Sequence, residues 1–404
     1  MNFYQKYLEQ LKADFPISSC ENKLSELLSP NLISAQKLFI EAAALEKIKR
    51  FVAAMFKLRS TPEYQSPILA SHPLFEHFNK PQNFSALMSY DFHLLDQQNP
   101  KLIEINTNAS SSLIINESYR VNQIKNIFSP AENFESEILH CFENEFRLFN
   151  PNRELKVIAI LDEAPASQKL YLEFLLYQEL FKLAGYTCVI ADPKDLHIKA
   201  GQLIYQSHLP VDLVYNRHTD FYFSTAACAH LREAYRQGVA CFSPHPFEYA
   251  LLADKQRLFE LSQDKISLAS LLPQEKQIVE QVILKSYDIS KSEDKDWFWH
   301  NKKNLFFKPM RSFGGKAAYR GQGVTQGVFA KIIAGQYLAQ EFAPPPLIEV
   351  QLEDSTRAEF KYDLRFYVYK DRIQLGVARL WQGQMTNIST PGGGLTPILL
   401  KPNC

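Results

Sequence analysis

Glycine is scarce in this 404-residue chain: there are 14 in all, and none occurs before Gly185. The first half therefore has few positions where the backbone can take positive φ cheaply or approach a ligand closely. Cysteine is also sparse. The six (Cys20, Cys141, Cys188, Cys228, Cys241, Cys404) are scattered without a Cys-x-x-Cys pair, so neither a zinc ribbon nor a redox dithiol is readable. They read as reduced thiols, mostly buried small hydrophobes. Neither charge sign prevails, since Lys+Arg and Asp+Glu both number 44; this argues against a nucleic-acid footprint or a membrane-surface patch. No apolar run approaches a membrane span, and Met1 to Tyr7 lacks the layout of a signal peptide. The expectation is a cytoplasmic protein with no membrane partner. No Ser/His/Asp or Cys/His constellation is evident. No Gly-x-Gly-x-x-Gly follows the first parallel-type strand, which makes dinucleotide binding a poor reading.

A hydrophobic content of 46% with 22% charged residues describes an ordinary globular protein of two or three packed units. Helical spacing covers 2–12, 35–58 and 132–149. Two short strands, 87–95 and 101–106, flank Asp96-Gln97-Gln98-Asn99-Pro100 and read as a hairpin. A turn centred near Gln97 and Gln98 places Asp91 opposite Glu104 on one face. From residue 151 the pattern becomes β-α-β, with strands at 155–161 and 187–191 around a helix at 167–184. Further short strands at 203–207 and 213–215 complete a small parallel-sheet α/β unit. Asn216-Arg217-His218 stand at a strand end, where such sheets face ligands; for Arg217, substrate contact and a structural salt bridge are even alternatives. The segment 286–296 reads as a solvated loop, and Asp254-Lys255-Gln256-Arg257 as a solvated helix face.

Two places carry chemistry. In Leu102-Ile103-Glu104-Ile105-Asn106-Thr107-Asn108, Glu104 and Asn106 share a strand face and present two oxygens to a hard cation such as Mg²⁺. Eleven of the glycines fall from Gly314 to Gly394. Phe307-Lys308-Pro309 enters that region ahead of Met310-Arg311-Ser312-Phe313-Gly314-Gly315-Lys316. A strand-end lysine beside a glycine loop can hold phosphates; a hairpin with a basic turn is the plain alternative. Asp363, Arg365 and Arg379 project from adjacent strands. They could hold a phosphate or form an ordinary charged sheet face.

The order of these motifs resembles the ATP-grasp family. The match runs through Asp254-Lys255, Lys308 with its glycine loop, Gln340-Glu341-Phe342, Asp363-Leu364-Arg365, Arg379, and Asn387 before Gly392-Gly393-Gly394. The final metal-binding elements of that family sit at the front instead, as Asp91 and Glu104-Ile105-Asn106-Thr107-Asn108. The whole is similar to a circularly permuted ATP-grasp protein of the glutathione synthetase or glutathionylspermidine synthetase kind. Met385 departs from the arginine common two residues before such an asparagine. The fold implied is α/β (α+β), with a small parallel-sheet domain ahead of the ATP-grasp core. Residues 1–150 would hold the N-terminal helices and permuted metal strands, 151–250 the substrate domain, 251–342 the nucleotide lobe and 343–404 a second lobe completed by 30–110.

The resemblance implies ATP and Mg²⁺. Lys255, Lys308, Gly314, Gly315 and Lys316 would hold phosphates, Glu341 and Phe342 the adenine hinge, and Asp363 and Asn387 the nucleotide. Asp91, Glu104 and Asn106 would hold the metal, lying near Asn387. Arg311, Arg365 and Arg379 would be catalytic, and Asn108, Asn216, Arg217 and His218 would meet the substrate. The activity implied is joining a carboxylate to an amine or thiol through an acyl phosphate, on a small-molecule, amino-acid or peptide substrate. A small-metabolite kinase or a non-catalytic nucleotide binder are the alternatives, and a homodimer is an assembly the resemblance allows.

Overall fold

The computed structural model describes residues 2–16, 24–76, 78–129, 133–263, 265–310, 317–352, 356–384 and 386–402. Its largest sheet joins the two ends of the chain. The strand order is Leu38–Ile40, Gly394–Leu400, Arg372–Trp381, Arg357–Tyr369, Met88–Leu95, Asn99–Asn106, with Leu347–Gln351 added beside the first half of Arg357–Tyr369. The long Arg357–Tyr369 strand thus shares one edge between a local partner and the early hairpin. Residues 357–361 pair with 347–351, and residues 364–368 pair with 88–92.

The hairpin forms because its turn residues accept unusual backbone. Asp96 and Gln97 have φ of 51° and 57°, as the tight turns matched to strand twist require. Pro100 is tolerated because Asn99–Asn106 is the sheet's edge. Asp91 pairs with Glu104, as the spacing anticipates, but Phe92 pairs with Leu102, so Ile103 is the extra residue of a bulge. At the other edge, Gly394 meets the early chain. It has a φ of +101°, and a Cβ there would lie 2.6 Å from the Asn31 carbonyl oxygen. The parallel strand Leu38–Ile40 follows that contact and pairs with 398–400. This corrects the helical reading of 35–58: the helix is Ala42–Arg59, and the residues before it close the sheet.

A second sheet is all parallel, in the order Cys241–Ser243, Leu213–Asn216, Val157–Leu161, Thr187–Ala191. A third is antiparallel, in the order Ser286–Asp288, Tyr337–Glu341, Leu305–Pro309, Tyr319–Arg320. The 286–296 segment is therefore not a solvated loop. Ser286 and Asp288 are buried in a strand, and a helix, Lys295–Asn301, follows. This third sheet has its own apolar core around Phe298, Phe307, Phe329 and Ile332. The other sheets share a larger one. Cys141, Cys188, Cys228 and Cys241 are buried free thiols, while Cys20 and Cys404 lie outside the described residues. Among the described residues, no helix is long and apolar enough to cross a membrane.

Candidate functional site

Strand register creates a charged face where the chain ends meet. Asp363 sits opposite Arg379, and Arg365 sits opposite Asp91. Arg365 donates from Nε and Nη2 to the two Asp91 oxygens at 2.8 and 2.7 Å, across 274 residues. Arg379 Nη2 reaches Asp91 at 2.9 Å and Asp363 at 2.8 Å, and its Nε donates to Asp363 at 2.7 Å. The four side chains form one alternating string, Asp363–Arg379–Asp91–Arg365. The Asp91 side chain is fully buried. Burial pushes its carboxyl up, yet Arg365 and Arg379, with hydrogen bonds from Arg365 and Glu104, hold it below the usual carboxylate range. The arginines and aspartates of this face are thus more than a solvated surface pattern.

The bulge at Ile103 brings the other lobe to this face. Lys308 leaves the antiparallel sheet and donates from Nζ to the Ile103 carbonyl at 2.8 Å and to Gln340 Oε1 at 2.9 Å. A bulge frees a backbone group from the ladder, and here the freed carbonyl receives a lysine. Burial pushes the Lys308 ammonium down to about 8; Glu104 and Asp91 oppose that, and the charge of Lys255 adds to it. Lys308, Lys255, Glu104 and Asp91 therefore act on one another electrostatically.

Lys255 arrives by an unusual route. Its segment is not one helix with a solvated face. Pro246–Glu248 runs into a π-helical turn, Tyr249–Ala253; Asp254 is then extended, and a new helix starts at Gln256. Such wide turns recur at functional sites. Asp254 accepts a 2.6 Å hydrogen bond from Tyr222, and Arg257 is buried. Lys255, Tyr249, Leu252 and Leu258 line a narrow cleft, faced by Glu104, Asn106, Asn108 and Phe221.

The structure brings some of the anticipated residues together and leaves others apart. Asp91, Glu104, Lys308, Asp363, Arg365 and Arg379 form one connected group. Asn106 donates to Glu104 at 3.4 Å. Thr386 donates to Asp363 at 3.4 Å, so the group reaches the residue before Asn387. Asn387 is exposed, and its side chain accepts from the Ser389 amide at 3.1 Å. The amides of Glu341 and Phe342 donate to the Lys285 and Asn304 carbonyls, both at 2.8 Å, so only other groups of this hinge could face a base. Arg311, Gly314, Gly315, Lys316 and Met385 lie outside the described residues.

Asn216, Arg217 and His218 do not line the cleft. Asn216 accepts from the His218 amide at 3.1 Å. Arg217 is buried, donating to the Asn108 and Ala109 carbonyls at 2.6 and 2.5 Å, with Glu173 3.8 Å away. Of its two alternatives, this geometry is the structural one. Phe221 and Tyr249 carried no anticipated role, yet their rings stack 4.2 Å apart in the cleft. No spacing signal marks them, because a turn and a π-helical turn well apart in sequence bring them together.

The oxygens fit a hard divalent cation in part. Among the described residues, no three His, Cys, Asp or Glu side chains are grouped to hold a metal, and both Asp91 oxygens already serve guanidinium groups. Glu104 and Asn106 remain, one carboxylate and one amide oxygen. That is the sparse protein share Mg²⁺ takes when phosphates and water complete its octahedron.

No protein-family model and no curated protein sequence matches the chain. In three dimensions it is similar to a glutathione synthetase-like effector of Globodera pallida in its apo form, with a TM-score of 0.59 and 13% identity over 91% of this chain and 90% of that one. A putative γ-glutamylcysteine synthetase of Methylobacillus flagellatus aligns at a TM-score of 0.47 and 9% identity, covering 91% and 89%. The ATP-grasp ligase PsnB aligns at 0.31 and 12%, covering 61% and 88%. The fold is an ATP-grasp-related one.

Proposed function

We propose that this chain is an Mg²⁺- and ATP-dependent ligase. It would convert a carboxylate to an acyl phosphate and pass the acyl group to an amine or thiol, releasing ADP and phosphate. The observation that carries the reading is the meeting of Lys308, from the antiparallel sheet, with the Glu104-bearing bulge across 205 residues. It joins a phosphate-type cation to a metal-type carboxylate beside a fixed pair of arginines. The likeness to a glutathione synthetase-like fold supports it. On this reading the chain order is a cyclic shift of the family's, with residues 151–250 the substrate domain, and the buried thiols suit a reducing cytosol.

The chemistry asks for positioning and charge neutralisation rather than acid–base residues. Lys308 and Lys255 would neutralise phosphate oxygens. Glu104 and Asn106 would hold Mg²⁺, which, when bound, supplies Lewis-acid polarisation of the phosphoryl group. Arg365 and Arg379 would present N–H groups to the phosphate in transit, their planes locked by Asp91 and Asp363. Asn387, Asp363 and the Glu341–Phe342 hinge would bound the nucleotide.

The test is product analysis with ATP, Mg²⁺ and pooled acids and amines. An amide or thioester with stoichiometric ADP and phosphate supports the ligase. A stable phosphoester would make it a kinase, and ATP binding without turnover a non-catalytic binder. Glu104→Ala should abolish Mg²⁺-dependent turnover, and unchanged turnover would remove the metal assignment.

A further inference from the structure

We infer that Glu145 is a proton-operated clasp between the main sheet and the parallel sheet: it joins them as the neutral acid, and release of its proton loosens the segment 83–86 that leads into the hairpin. The inference stands apart from the ligase reading. Glu145 lies on the helix Phe134–Phe149 and is fully buried. Its Oε2 accepts from the Phe84 amide at 2.8 Å and from Asn83 Nδ2 and Ser243 Oγ, both at 3.2 Å. Its Oε1 accepts from the Tyr369 hydroxyl at 2.8 Å. One carboxyl thus gathers the approach to the hairpin, the end of the parallel strand Cys241–Ser243 and the end of Arg357–Tyr369. The donors are locked in turn. Ser243 Oγ accepts from the Ala86 amide at 2.8 Å, and Asn83 Nδ2 donates to the Phe242 carbonyl at 2.8 Å. The grip also reaches the cleft side: Ser85 Oγ donates to the Thr107 carbonyl at 2.5 Å, and the Ala109 amide donates to the Leu87 carbonyl at 3.1 Å. The clasp therefore helps seat the loop that follows Asn106.

What this grip lacks is a countercharge. All four donors are neutral, and among the described residues no ammonium or guanidinium forms an ion pair with Glu145. The cations nearby are engaged elsewhere. Arg59 pairs with Glu248, and Lys370 Nζ lies over the Phe84 and Tyr369 rings, 5.3 and 5.2 Å from their centres. A buried carboxylate without a charged partner is costly and takes a proton instead. Burial accordingly pushes the Glu145 carboxyl up to about 7, against the hydrogen bonds of Tyr369, Phe84 and Asn83, with the charge of Glu248 adding to the rise. The other titratable groups around it keep one state between pH 5 and pH 8. Burial holds the Cys141 and Cys241 thiols and the Tyr369 phenol protonated, and it pushes the His245 imidazole down to about 3, so that ring stays neutral. Glu248 keeps its guanidinium partner. Because the folded value of Glu145 lies above that of an exposed glutamate, the clasp is whole in acid and its stabilisation is lost as pH rises toward 7.

Hydrogen exchange of the full chain tests this, read as protection factors so that the intrinsic pH dependence of exchange drops out. The Phe84 and Ala86 amides should lose protection on the order of fiftyfold from pH 5 to pH 8, levelling off beyond about pH 7. Glu145→Gln keeps an acceptor toward Phe84 and carries no charge, so its protection should stay constant over that range. Tyr369→Phe removes a donor to the ionised form and should move the levelling-off to higher pH. Wild-type protection independent of pH, or the same fall in Glu145→Gln, overturns the inference. Should Glu145→Gln not fold, Tyr369→Phe decides it: a shift upward supports the clasp, and a levelling-off at the wild-type pH overturns it. Neither result bears on whether the chain is a ligase.

Discussion

At the residue scale, two acidic side chains one hairpin apart separate stability from turnover. Asp91 is enclosed by two guanidinium groups, so Asp91→Ala strands the largely buried Arg365, leaves Arg379 to Asp363 alone, and should lower stability by about 3 kcal/mol. Urea unfolding measures that loss. Glu104 is half-buried at the cleft, and Glu104→Ala should change stability little while removing turnover. Equal stability losses for the two would contradict their division of labour. Lys308 gives a pH signature. Burial lowers its ammonium to about 8, so raising pH through that value discharges it, and a neutral amine no longer attracts phosphate. The affinity of the free protein for ATP should fall on the order of tenfold from pH 7 to pH 9, measured by calorimetry. In Lys308→Met the affinity should be lower throughout and lack this step. Lysine and glutamate positions were legible in the sequence because the residue type and local strand pattern name their chemistry. The Phe221–Tyr249 pair was not, since aromatic residues are ordinary core material until the fold brings a turn and a helical turn face to face.

At the element scale, period-two alternation and a turn-rich centre located the hairpin, but the pairs nearer the turn, from Leu95–Asn99 to Phe92–Leu102, would set Asp91 against Ile103, and only the bulge brings it to Glu104. The bulge at Ile103 was not legible, because nothing in Leu-Ile-Glu-Ile marks which residue will be left over; Lys308, far along the chain, uses it. The π-helical turn was likewise hidden, since its apolar Tyr-Ala-Leu-Leu-Ala reads as plain helix. The strand Leu38–Ile40 was missed for a related reason: three residues carry little periodicity, and the 394–400 edge selects their conformation. Gly394 records that edge. Gly394→Ala forces a left-handed backbone and a close contact with Asn31, and should destabilise the protein by about 2 kcal/mol or more. Loss of hydrogen-exchange protection should concentrate in residues 38–40 and 394–400, and protection unchanged there would show that the early segment docks independently of the glycine.

At the scale of the whole molecule, the charged face exists only because early and late segments of the chain enter one sheet. Strand Arg357–Tyr369 takes half of one edge pairing from residues 347–351 and the other half from residues 88–92. Residues 120–404 without the early hairpin should therefore bind ATP weakly or not at all, and residues 30–119 added in trans should restore binding if the segments refold together. This closure was anticipated from motif order alone, whereas its partner contacts became evident only in the assembled sheet. The most direct measurement is a crystal structure of the chain with Mg²⁺ and a non-hydrolysable ATP analogue. The account predicts the cation on Glu104 and Asn106, phosphate oxygens within hydrogen-bond reach of Lys308 and Lys255, and the γ-phosphate facing Arg365 and Arg379. A nucleotide bound away from the 99–106 strand, with Glu104 touching neither metal nor phosphate, would contradict it.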